Sequence, residues 1–93
     1  MTTRGALIVA RYAKLEVELR KHCSADLFPS LDCVDVCDLV SLVTFAFLGC
    51  STPEQYSEKI RELIDGHGVE LSDDAFKIVA PQISDFVIWM KAL

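Results

Sequence analysis

Leu39-Val40-Ser41-Leu42-Val43-Thr44-Phe45-Ala46-Phe47-Leu48 is the stretch on which the fold turns. Its β-branched and aromatic residues would suit a buried strand, but its length and the lack of any internal turn signal favour a helix. Apolar side chains occupy nearly all sides of it, which predicts a central helix surrounded by others. Upstream, Asp32 stands where an N-cap is wanted and Asp35 follows three residues later. Carboxylates in a first turn are favoured by the helix dipole, so cap and dipole account for this pair. Gly49 closes the element.

The flanking segments have helical periods too. Ile8, Tyr12, Leu15, Leu19 and Cys23 recur at intervals of three and four, which predicts a first amphipathic helix from Gly5 to Cys23. Ala25 to Leu31 breaks the pattern, because Pro29 lacks a backbone donor and restricts Phe28 before it. Thr52-Pro53-Glu54-Gln55 is a compact start signal, with a capping hydroxyl, proline at the first helical position and an amide able to reach back. A helix from Pro53 to about Asp65 follows, burying Tyr56, Ile60, Leu63 and Ile64 and ending at Gly66 and Gly68, both able to take positive φ. Ser72 caps the last segment, where Phe76, Val79, Ile83, Phe86, Val87 and Met90 carry an apolar stripe across Pro81. The expectation there is one helix bent at Pro81 or two abutting ones, ending near Leu93.

The fold class expected is all-α, a compact bundle of about four or five helices. With 93 residues the chain suits one domain, 1–93, and its abrupt apolar end suggests the N-terminal part of a longer protein. Residues of the AVILMFWYC set make up 52% and charged residues 25%, enough apolar material to exclude disorder over most of the length. The absence of a secretory core segment and the placing of Cys23, Cys33, Cys37 and Cys50 in or beside apolar helical patterns point to a reduced, intracellular setting. Glu16 and Glu18 oppose a mitochondrial presequence. The most apolar run, Val36 to Leu48, is shorter than the ~20 residues a membrane span requires.

Charge is unevenly spread. The net charge is −5, yet Met1 to Ser24 carries five basic residues against two acidic ones, and the rest carries four against twelve. No Lys or Arg occurs between Lys21 and Lys59. That balance opposes a broad duplex-binding surface and suits pairing with charged protein surfaces.

Chemistry finds little support, and no catalytic residue is assigned. His22 and His67, the two histidines, sit in no nucleophile elbow or metal-binding helix signature. Cys33 and Cys37 are four apart inside a helix and do not form a zinc knuckle, and Asp32, Asp35 and Asp38 lack the glycine-containing loop of a calcium site. Phosphate-loop and dinucleotide patterns are absent too, so neither metal, cofactor nor small-molecule substrate is expected. Surface recognition remains, with three candidate surfaces: the basic side of the first helix, the acidic rim from Asp26 to Asp38, and the loop at Leu27 and Phe28, which either staples onto the core or stands out as an anchor.

The order of a first helix, an apolar central helix, a third helix closing on Leu63-Ile64-Asp65-Gly66 and a last element ending Phe86-Val87-Ile88-Trp89-Met90-Lys91-Ala92-Leu93 resembles the PWI-like N-terminal domain of nuclear polyadenosine-RNA-binding CCCH zinc-finger proteins. The resemblance covers nearly the whole chain. It implies a non-catalytic helical domain that docks messenger-RNA export or nuclear-pore-associated factors, with RNA bound mainly by zinc fingers elsewhere. It also implies a partner contact near the end of the third helix, here Ile64. Two other readings stand beside it: direct RNA or DNA binding through Arg11, Lys14 and Lys21 on the first helix, and a viral or cytosolic helical adaptor of death-fold or apoptosis-regulator type. The first reading places the protein in the nucleus and the last in the cytoplasm.

Overall fold

The computed structural model describes residues 3–22 and 35–93. Among the described residues the fold has four helices: α1 (Thr3–His22), α2 (Val36–Ala46), α3 (Pro53–Gly66) and α4 (Asp73–Lys91). No strand occurs among the described residues. The expected all-α bundle is therefore present, with four helices among the described residues. The expected break at 25–31, the Asp32 cap and the positions of Cys23 and Cys33 lie outside the described residues.

Local chemistry sets the helix boundaries. Asp35, not Asp32, caps α2: its Oδ1 accepts from Asp38 N at 2.8 Å. The predicted capping box of α3 is complete. Thr52 Oγ1 accepts from Gln55 N at 3.2 Å, while Gln55 Oε1 accepts from Thr52 N at 3.1 Å and from Ser51 N at 2.7 Å. Ser72 Oγ accepts from Ala75 N at 3.2 Å and opens α4.

The end of α3 departs from the expectation that both glycines leave the helix. Gly66 stays helical, and Gly68 alone of the two has a positive φ, of 67°. Val69 N donates back to Ile64 O and Gly68 N to Asp65 O, both at 3.1 Å, the paired bonds of a Schellman motif that satisfies the last carbonyls. Val69 is buried just beyond it.

Pro81 lies inside one continuous α4 and does not divide it. A proline removes a helical amide, here the one that would donate to Lys77 O; one residue on, the side chain of Gln82 donates from Nε2 to Ile78 O at 3.1 Å. Burial on both sides of the proline gives the helix reason to continue, since Val79 and Ala80 precede it in the core and Ile83, Phe86, Val87 and Met90 follow.

Helix α4, not α2, is the central element, packed against each of the other three. From α1 the core receives Ile8, Tyr12, Leu15 and Leu19, and from α3 it receives Tyr56, Ile60 and Ile64. Ring pairs tie the layers, Tyr12 with Phe86 at 5.9 Å between centroids and Phe47 with Tyr56 at 5.7 Å. At the seams, the Arg11 guanidinium covers Trp89 at 4.4 Å and that of Arg61 covers Phe76 at 4.0 Å. Among the described residues no helix is long and apolar enough to cross a membrane.

Candidate interaction surface

Helix α2 buries only one side. Leu39 and Val43, with Phe47 in the turn that follows, enter the core. At about 100° per residue the opposite side is built around Phe45, with Leu42 and Leu48 flanking it. These three are 79%, 51% and 72% exposed, so the expectation of a helix surrounded by others is overturned. The physical reason is size: α4 already takes the central place in a chain of 93 residues, and the other helices pack on its sides. Of the remaining exposed large apolar residues, Leu7, Val17, Ile78 and Ile88 lie on α1 and α4 and Leu93 just beyond α4, and scattered single exposures of this kind are ordinary.

Leu42 and Phe45 line, with Asp38 and Ser41, an open hollow of about 550 Å³. Beyond the helix end, Leu48 borders a second hollow of about 220 Å³, whose far side carries Gln55, Glu58, Lys59 and Glu62. Lys59 is engaged with Glu62 at 3.3 Å. The apolar line thus runs from a carboxylate at Asp38 to the second hollow, where Glu58 and Glu62 of α3 stand with Lys59. A Lys91 ammonium fixes its C-terminal end, donating to Phe47 O at 2.9 Å and to Tyr56 Oη at 3.0 Å.

The residues expected to contact partners fare differently. Ile64 is 1% exposed, in contact with the core, so it supports the fold and offers no surface to a partner. Its position on the inner face of α3 follows from the same spacing that buries Tyr56 and Ile60. Leu27 and Phe28 lie outside the described residues.

Arg11, Lys14 and Lys21 do not form an open basic stripe. Arg11 rests on Trp89, and together with Lys14 it borders an α1–α4 groove of about 370 Å³ that also contains Glu18 and Asp85. Lys21 Nζ donates to Glu18 Oε1 at 2.9 Å, and Arg20 Nη2 lies 2.6 Å from Glu16. Hydrogen bonding and charge from Lys21 hold the Glu18 carboxyl below its ordinary pKa, with His22 adding a smaller pull and desolvation opposing weakly. Carboxylates thus interleave the cations along this side.

Cys37 is exposed on the first turn of α2, and Cys50 is partly buried with its thiol 3.8 Å from Gln55 O. Among the described residues no three His, Cys, Asp or Glu side chains are grouped to hold a metal ion. His67 is exposed, its Nδ1 2.8 Å from Leu63 O, which assigns the proton to that nitrogen.

No protein-family model, curated protein or solved structure matches this chain.

The α2 face escapes a reading based on hydropathy alone. A signal for it exists in the polar positions Asp38, Ser41 and Thr44, spaced by three, which mark the side that must meet water. Phe45 lies on that side with them.

Proposed function

We propose that this chain is a non-catalytic helical protein-interaction domain acting in nuclear messenger-RNA processing or export, and that it docks its partner on the outer face of α2. The observation that carries the docking role is Phe45, 79% exposed between two exposed leucines. Removing an aromatic side chain of this size from water contributes roughly 1.5–3 kcal/mol, a large gain for one contact at the centre of an interface. The nuclear role rests on the resemblance in helix order to the PWI-like N-terminal domains. Partner contact at Ile64 has no part in it, because that side chain lies in the core.

Direct RNA binding through Arg11, Lys14 and Lys21 is the weaker reading. Affinity for a phosphate backbone comes from cations free to displace counterions, and here Lys21 is paired and Arg11 is committed to Trp89.

Immobilised wild-type domain should recover RNA-processing or pore-associated proteins from nuclear extract, and Phe45→Asp should lose them. Recovery of no such protein, or of the same set by both forms, overturns the proposal. Salt-sensitive binding of single-stranded RNA by the isolated domain would favour the rival.

A further inference from the structure

We propose that α2 and its closing turn open as a unit while α1, α3 and α4 stay packed, and that Lys91 is the latch that holds them shut. This device goes beyond the docking role and does not depend on it. Helix α2 is the shortest of the four, and among the described side chains it sends only Leu39 and Val43 into the core from within its turns, fewer than any other helix. Units that open below the global unfolding free energy are those with few buried apolar contacts. An isolated helix of 11 residues is marginal in water, so α2 released from its neighbours loses its backbone hydrogen bonds as well.

The rest of the bundle closes without it. Helix α2 lies against α4 and α1, but α1 and α3 each pack on α4 directly. The Tyr12–Phe86 ring pair and the Arg11 cover of Trp89 join α1 to α4. Arg61 joins α3 to α4 by covering Phe76 and by donating to Asp73 Oδ1 at 3.3 Å. None of these contacts involves α2. Its own described polar and ring attachments gather at the C-terminal end, since the Asp35 cap bonds only within the helix. Phe47, fully buried, stacks on Tyr56 at 5.7 Å, and its carbonyl accepts from Lys91 Nζ at 2.9 Å. Lys91 also donates to Tyr56 Oη at 3.0 Å. Opening therefore breaks the bond to Phe47 O, whereas the bond to Tyr56 stays behind with α3 and α4. The outer rail of Leu42, Phe45 and Leu48 faces water in the closed form and is carried along.

The test is amide hydrogen exchange, followed by NMR on the 93-residue chain in low urea, under conditions where reclosing outruns exchange. The Leu39 and Phe47 amides, bonded to Asp35 O and Val43 O, are the probes. They should exchange together, at least about tenfold faster than the slowest amides of α1, α3 and α4, and with a weaker dependence on urea because less surface is uncovered. Lys91→Met removes the ammonium and keeps an apolar stem, and it should speed the α2 amides by about tenfold, the worth of one hydrogen bond to a charged group. Tyr56→Phe keeps the ring pair and removes a bond that survives the opening. It should leave the α2 amides within about twofold of wild type while the slowest amides speed up.

Probe amides that exchange as slowly as the slowest ones overturn the opening, as do rates that ignore urea, the mark of single-bond fluctuations. Probe rates unchanged in Lys91→Met overturn the latch. Equal acceleration of the probe and slowest amides in Tyr56→Phe would mean that α2 and α3 leave α4 together, which overturns it too. The wild-type profile and Tyr56→Phe carry the test if Lys91→Met does not fold.

Discussion

Lys91 reaches back 44 residues along the chain to donate to the backbone carbonyl of Phe47 at 2.9 Å. Helix α2 has no basic residue in its own last turn, so the cation facing its C-terminal dipole comes from the end of α4. The same ammonium bonds Tyr56 Oη at 3.0 Å, which joins three helices at one atom. It also holds the segment from which Leu48 projects.

Replacing Lys91 by Ala should lower stability by about 1.5–3 kcal/mol, the range for a hydrogen bond to a charged group, here part-buried. Urea denaturation checks this through a lower midpoint at an unchanged slope. An unchanged midpoint would mean that the contact is too well solvated to matter.

Gly66 and Gly68 should respond to alanine with opposite signs. Gly66 is helical with open space around a built Cβ, so Gly66→Ala should stabilise by about 0.5–1 kcal/mol. Gly68 has a φ of 67°, and Gly68→Ala should destabilise by about 1 kcal/mol or more although nothing lies within contact of the new Cβ. Thermal melts of the two variants decide the matter.

Ile64→Ala should cost about 2–5 kcal/mol by leaving a cavity in the core, while Phe45→Ser should stay within roughly 0.5 kcal/mol of wild type. Chemical denaturation of both measures the contrast. Near-equal effects would show that Phe45 is covered in solution.

Glu18 should titrate below an ordinary glutamate and return toward the usual range in Lys21→Gln, as followed by NMR of its side-chain carboxyl carbon. Because its folded pKa is depressed, the contribution of this pair to stability is present above the unfolded value and fades as pH falls through the folded one. The group is solvent-exposed and screened, so the effect belongs to the titration curve and hardly to the melting temperature.

Much of the architecture is written in residues whose chemistry is local. Thr52, Gln55 and Ser72 announce their helices because a cap needs only neighbours a few residues away. The inner faces of α1 and α3 are equally plain, since Ile8, Tyr12, Leu15 and Leu19, or Tyr56, Ile60 and Ile64, repeat at helical spacing. At Pro81 the expectation leaves one helix or two open, and the single helix prevails because the local penalty is set against burial of apolar residues on both sides, which only the assembled bundle supplies.

The candidate site was harder to read than the fold. Phe45 and Phe47 stand two residues apart in one apolar run, yet one is 79% exposed and the other 0%. Which of them meets solvent depends on the side from which α4 approaches, a relation among segments distant along the chain. Ile64 shows the converse: a resemblance supplies a role, and packing assigns the side chain to the interior.

Trp89 is the chain's single tryptophan, partly buried beneath Arg11 where α1 meets α4. Its emission colour therefore reports on that seam. A ligand that docks on the outer rail should leave the spectrum in place, whereas one that pries the bundle apart should shift it to the red, so one optical signal separates recognition from unfolding.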